Sequence, residues 1–236
     1  SNNDIYAQRV NSAGAAQWAA NGKSVCTAAF SQDYPRIIAD NAGGAIIVWP
    51  DLRSGTYFDI YAQRLNSSGT PQWIANGIPV SAAADNQYAP AIAPDGAGGA
   101  LIAWRDIRST LDTDIYAQRV NISGTALWTA DGVLVCSSAG NDDVPTITSD
   151  GAGGAFVAWA DFRNELAYAD IYARRVNAAG FALWTPDGVQ ICGAAYTQWS
   201  PALLPDGAGG AIVAWQDSRG GVYSDIYAQR VTAQGA

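Results

Sequence analysis

The chain has 236 residues, of which 49% are hydrophobic and only 14% charged, and its net charge is −8. A single glutamate (Glu165) and a single lysine (Lys23) are too few to clothe helix surfaces, so the composition argues against a helical protein. The acidic balance excludes a nucleic-acid binder, whose surface must attract phosphate, and no apolar run is long enough for a membrane span.

The segment DIYAQRV begins at Asp4 and returns, nearly unchanged, at Asp59, Asp114, Asp170 and Asp225, with spacings of 55, 55, 56 and 55 residues. Repetition at such a period marks an array of supersecondary units. In chain order, the first complete unit starts with a short strand A at Pro35. The turn Asp40-x-Ala-Gly-Gly follows, where Asp bonds its own downstream backbone and Gly supplies positive φ. Strand B runs from Ala45 and is apolar on both faces, which predicts a sheet covered on both sides. It ends in Trp49-x-Asp51-x-Arg53, a motif that recurs at Trp104, Trp159 and Trp215. Strand C starts at Asp59. The turn Asn66-x-x-Gly69 leads to strand D, predicted from Pro71 to Val80 and carrying Trp73.

An A-B-C-D meander repeated every 55 residues predicts an all-β fold, a β-propeller of four blades each with four antiparallel strands. It forms one domain over residues 1–236, with units 4–58, 59–113, 114–169, 170–224 and a partial unit 225–236. Strand C occurs five times, so a ring of four leaves one copy spare, either Asp4–Val10 or Asp225–Val231. Closure then joins the N- and C-terminal strands. A spare strand presents an edge for self-association.

The segments DIYAQRVN, ALWTADG, GVLVC and DGAGGAFVAW resemble repeats of secreted or surface bacterial β-propeller proteins, over essentially the whole chain. The resemblance implies an extracellular or cell-surface location and no particular activity. The Asp-Gly hairpins are also loosely similar to the Asp-box of sialidase-like propellers, without its Trp spacing.

Histidine is absent, which removes the commonest general base and metal ligand. The Asp and Arg residues recur in every unit, and a group repeated by symmetry reads as structural. Cys26, Cys136 and Cys192 share one repeat position with Ser81, so the thiols are expected to be free and buried. No cofactor is expected. Calcium is the alternative the Asp-Gly hairpins leave open, although they lack the further acids a calcium loop uses. Variation concentrates in the B–C loops and D–A connections, at one end of the sheets. Tyr57, Tyr88, Tyr223 and Trp199 there are the expected ligand-binding residues. The reading that follows is a non-catalytic binding module for a glycan or protein. Two others stay open: a structural module of an array or filament, and an Asp-based glycoside hydrolase.

Overall fold

The computed structural model describes residues 2–109, 112–165 and 167–236. Among these residues there are strands and turns and no helices, so no helix is long and apolar enough to cross a membrane. Strands β1 (Ile5–Ala7) and β2 (Lys23–Cys26) form a two-stranded sheet. Three four-stranded antiparallel meanders follow. They are β3 (Arg36–Ala39), β4 (Ala45–Asp51), β5 (Asp59–Leu65) and β6 (Ile78–Ser81); β7 (Gln87–Pro94), β8 (Ala100–Asp106), β9 (Asp114–Val120) and β10 (Val133–Cys136); and β11 (Asp142–Ser149), β12 (Ala155–Glu165), β13 (Tyr168–Val176) and β14 (Val189–Cys192). The last sheet has three strands, β15 (Gln198–Pro205), β16 (Ala211–Asp217) and β17 (Asp225–Val231).

The first strands pack in succession, β3 on β7, β7 on β11 and β11 on β15, giving a propeller-like stack of sheets. The core lies between sheets. Ile46, Ile102, Trp104 and Val120 fill one layer, and Ala103, Ile115, Val157 and Trp159 fill the next. This is why strand B is apolar on both faces: each side meets a neighbouring sheet, and burying one such aliphatic side chain contributes about 1.5–3 kcal/mol. All five copies of strand C sit in separate sheets, so none is spare. Among the described residues β17 pairs with β16 and not with β1 or β2, and six of its seven residues are exposed.

Strand D is shorter than the sequence predicts. In the first complete unit it spans Ile78–Ser81, and Trp73 stands on the preceding turn. That position lets Trp73 Nε1 donate to the Ile122 carbonyl of the next repeat (3.1 Å). Trp18, Trp128 and Trp184 make the same link to Ser67, Ala178 and Ala233. The second glycine of the A–B turn is required by space: a Cβ on Gly44 would lie 2.0 Å from the Leu65 carbonyl oxygen.

The repeated acids and arginines hold the sheets together. Asp51 Oδ2 accepts from Trp49 Nε1 (2.7 Å) and Arg53 Nη2 (2.6 Å), and Oδ1 accepts from the Arg53 amide and Nε (2.9 Å each). The guanidinium lies over the Tyr61 ring at 3.6 Å. Asp106, Asp161 and Asp217 repeat the arrangement. Removing one partner strands the other charge in the interior. Asp106→Ala is therefore expected to cost about 3–5 kcal/mol in urea unfolding.

The same arginines explain the cysteine position. Arg53, Arg163 and Arg219 each direct Nη2 at a thiol of the preceding sheet, and Arg108 directs it at Ser81 Oγ (3.3 Å). A small acceptor is what the site needs. All three cysteines are free, with Cys26 and Cys136 buried and Cys192 half-buried. Cys136→Ser is expected to change stability by less than about 1 kcal/mol, and thiol titration of the unfolded native chain should count three.

In the A–B turn, Asp40 Oδ1 accepts from the Ala42 and Gly44 amides, and Oδ2 accepts from both Arg64 Nε and Nη2. Asp95 and Asp150 do the same with Arg119 and Arg175. Both oxygens face N–H donors and a cation, a donor set that does not suit calcium.

Candidate active site

Three of the four first strands after β2 are entered through a Gln-x-x-Pro stretch, and the fourth, β11, through Asp142-x-x-Pro145. The Gln is buried, and its Nε2 donates to carbonyls of the connection before it: Gln32 to Ala29 and Phe30, Gln87 to Ala84 and Asp85, Gln198 to Ala195 and Tyr196. The third residue of the stretch has positive φ in every unit: Tyr34 (45°), Ala89 (47°), Val144 (42°) and Ser200 (51°). For a β-branched residue such as Val144 this conformation is strained. In β7, β11 and β15 the ladder skips at this point, forming a bulge. Bulges re-aim the neighbouring side chain. The residue aimed here is second in the stretch, and it differs between units: Asp33, Tyr88, Asp143 and Trp199.

These four residues hold one repeat position, at the end of the sheets where the B–C loops and D–A connections lie. Asp143 accepts from Arg105 Nη1 with both oxygens (3.0 Å each), bridging β8 to β11. Arg105 is itself peculiar to its repeat, where the others have Pro50, Ala160 and Gln216. Asp33 accepts from Asn3 Nδ2 at 2.7 Å. Between the first two complete sheets a cavity of about 290 Å³ is lined by Asp33, Tyr34, Arg36, Phe58 and Tyr88. Phe58 and Tyr88 form its aromatic wall, with ring centroids 5.5 Å apart. An apolar wall beside a carboxylate is the usual composition of a small-molecule site.

The four aromatic residues expected to bind ligand are not gathered in one place. Tyr88 lines the cavity. Trp199 stands at the equivalent point on β15 and packs edge-on against Phe162 (5.9 Å). Tyr57 and Tyr223 are exposed loop residues, 43% and 83% accessible, and neither lines this cavity. The reason is positional: they belong to the B–C loops, whereas the bulge points its side chain from the first strand. Asp33, Asp143 and Arg105 were missed as candidates. The two aspartates were visible in the sequence as the polar counterparts of Tyr88 and Trp199, and Arg105 as the one cation at the position of Pro50, Ala160 and Gln216.

A second departure from symmetry lies one residue earlier. Asp142 replaces the anchoring Gln, and neither of its buried carboxylate oxygens has a hydrogen-bond partner. Burial, and then the charge of Asp161, push its pKa up to about 9. Asp161 moves the other way: burial opposes its charge, but hydrogen bonds from Arg163 and Trp159 hold it below the usual range. Carboxyls driven apart in this way are a familiar mark of acid–base sites. Here, however, both are sealed from solvent. Cys136 Sγ and oxygens of Asp142 and Asp161 lie within 4.8 Å of one another, but Arg163 Nη2 already sits on Asp161 (2.5 Å) and Cys136 (3.3 Å). A metal ion would have to displace that cation. The cluster is a strained part of the scaffold.

No protein-family model matches this sequence, and no curated relative does. Solved structures share the fold. An endo-arabinase from Bacteroides thetaiotaomicron is 15% identical, with a TM-score of 0.51 over 84% of this chain and 74% of its own. An α-L-arabinanase from Penicillium chrysogenum, solved with arabinobiose, is 15% identical, with a TM-score of 0.54 over 87% of this chain and 65% of its own. An α-L-arabinofuranosidase from Fusarium graminearum, solved with an iminosugar inhibitor, is 12% identical, with a TM-score of 0.53 over 84% of this chain and 62% of its own. The chain thus spans less than two thirds of the length of the last two.

The likeness is one of fold, and it corrects the expectation of a non-catalytic binding module. The architecture is one on which enzymes are built, and these matches are not structural or self-assembling proteins. The case against catalysis rested on missing histidine, on a lone glutamate and on repeat symmetry. Aspartates alone can serve a glycosidase, and the bulge position breaks the symmetry.

Proposed function

We propose that the protein is a glycoside hydrolase whose reaction is carried by aspartates at the bulge position, Asp33 and Asp143. The observation that carries this reading is their placement. They are the carboxylates that occupy the symmetry-breaking point of the first strands, one lining an aromatic-walled cavity and the other oriented by Arg105. Glycosidases need two such groups: one protonates the leaving oxygen, while the other activates water or attacks the anomeric carbon. Tyr88 lies on the strand between them and offers its ring face to a sugar.

The substrate class we infer is a neutral, arabinose-containing glycan. The folds of an endo-arabinase and an arabinanase support it. So does charge: a net −8 chain repels acidic glycans, and Arg105 is already paired with Asp143. The resemblance to secreted and surface repeats supports action outside the cell. The open edge of β17 supports an accompanying reading, in which a strand of a second copy adds there.

The experiment is release of reducing ends from arabinan and arabinobiose by the purified chain, with Asp143→Asn as the control. Release by the native chain that the variant loses supports the proposal. No release from either substrate, at enzyme concentrations up to the micromolar range, contradicts it.

A further inference from the structure

The third complete sheet carries a second pocket, which shares no lining residue with the cavity of Tyr88. It has a volume of about 200 Å³, below the roughly 300–1,000 Å³ of drug-sized sites, and so suits a single small ring. Its polar floor is Asp170, whose Oδ2 accepts from Asn164 Nδ2 (2.7 Å) and Gln190 Nε2 (3.1 Å). Its rim is Tyr168 and Tyr196, both well exposed, with centroids 5.6 Å apart and rings nearly perpendicular.

Most of this constellation is found in one repeat only. The counterparts of Asn164 are Ser54, Ser109 and Gly220, and those of Gln190 are Ser24, Pro79 and Leu134. Tyr196 stands where the other units have Phe30, Asp85 and Gly140, and Tyr168 falls in the stretch that carries the one-residue insertion. Gly193 replaces Thr27, Ala82 and Ser137. The glycine leaves room for the Gln190–Asp170 bond: a Cβ there would lie 2.1 Å from Gln190 Nε2 and push that amide aside. Space, polar floor and aromatic rim therefore change together.

A carboxylate flanked by two primary amides offers acceptors and N–H donors side by side, which matches the vicinal hydroxyls of a sugar. Tyrosine rings supply rigid apolar faces with a polar tip. An anion would meet Asp170, and the polar floor does not suit an apolar ligand. We propose that this pocket is an accessory saccharide subsite, holding one sugar ring of a glycan chain without taking part in its cleavage. The identity of that glycan rests on the hydrolase reading; the existence of the subsite does not.

The test uses the intact chain carrying Asp143→Asn, so that the polymer survives, run by affinity electrophoresis through gels containing arabinan. Retardation is expected. Tyr196→Ala should weaken it about 5-fold through loss of the ring face, and Gly193→Ala should weaken it by displacing Gln190. In the chain with Asp143 intact, Tyr196→Ala should leave turnover of a short chromogenic arabinofuranoside within about 2-fold of native, a difference of some 0.4 kcal/mol. If retardation is lost in both variants while no hydrolysis is found in any form, the subsite stands and the hydrolase reading falls. If hydrolysis is found but both variants are retarded like the parent, or the parent is not retarded at all, the subsite is overturned.

Discussion

Replacing Asp142 by Gln is expected to stabilise the protein by about 4 kcal/mol at pH 7, which for a chain of this size raises Tm by about 8–16 °C. In the other units the Gln at this position donates to two or three carbonyls, whereas the buried Asp142 oxygens have no partner. The effect has a signed pH dependence. The folded-state pKa is raised to about 9, chiefly by burial and then by Asp161, against about 3.9 in the unfolded chain. Between those values the folded state holds a proton that the unfolded state releases, so native stability falls as pH rises through this window. The Gln variant has no such group. Its advantage should be smallest near pH 4, grow through neutrality and level off above about pH 9. Aspartates held below their usual range, such as Asp51 and Asp161, lose stability on acidification instead. They are common to both proteins and cancel in the difference. Urea unfolding at several pH values checks this; a flat difference would mean that Asp142 is ionised in the native state or paired.

Asp143→Asn and Asp33→Asn are each expected to lower turnover of an arabinose glycoside by about 10²–10⁴-fold, the usual weight of a positioned carboxyl. Both should leave stability within about 1 kcal/mol of native, since both groups stand at the open end of the sheets. Arg105→Gln should cost less, about 10-fold, because Arg105 orients Asp143 and does not replace it. A positioning role should appear as a fall in kcat with little change in KM. A loss of turnover in Asp143→Asn no larger than in Tyr88→Ala, and seen in KM alone, would instead mean that Asp143 holds sugar without taking part in the chemistry.

Most of the scaffold could be read from the chain because the repeat states it five times. Strand B, apolar on both faces, announced a sheet between sheets. The Asp-x-Ala-Gly-Gly turn announced its hairpin, and Ser81 among the cysteines announced a small residue with no bridge. Strand D was overextended because Trp73 reads as a strand residue. It is in fact a turn residue that reaches the next repeat through Nε1. The ring of four failed on a similar point. Pattern alone pairs any strand C with any strand D, whereas the structure keeps all five copies of strand C in separate sheets.

The site was half visible. Variation at the position of Asp33, Tyr88, Asp143 and Trp199 is plain in the sequence, where its aromatic members suggest ligand contact more directly than its aspartates do. Only the bulge shows that the position is aimed, because it depends on a positive φ at Tyr34, Ala89, Val144 and Ser200 that residue type does not advertise. The ion pair of Asp143 with Arg105, 38 residues apart, likewise exists only once neighbouring sheets stack.

The hydrolase account is tested most directly by a crystal structure of the Asp143→Asn chain soaked with arabinobiose. The account predicts the disaccharide against Tyr88, with its glycosidic oxygen or anomeric carbon within about 3.2 Å of the side chain at position 33 or 143. The separation of those two side chains would then tell the stereochemistry, about 5–5.5 Å for retention and about 6.5–9.5 Å for inversion. A disaccharide bound with neither position in reach would contradict it.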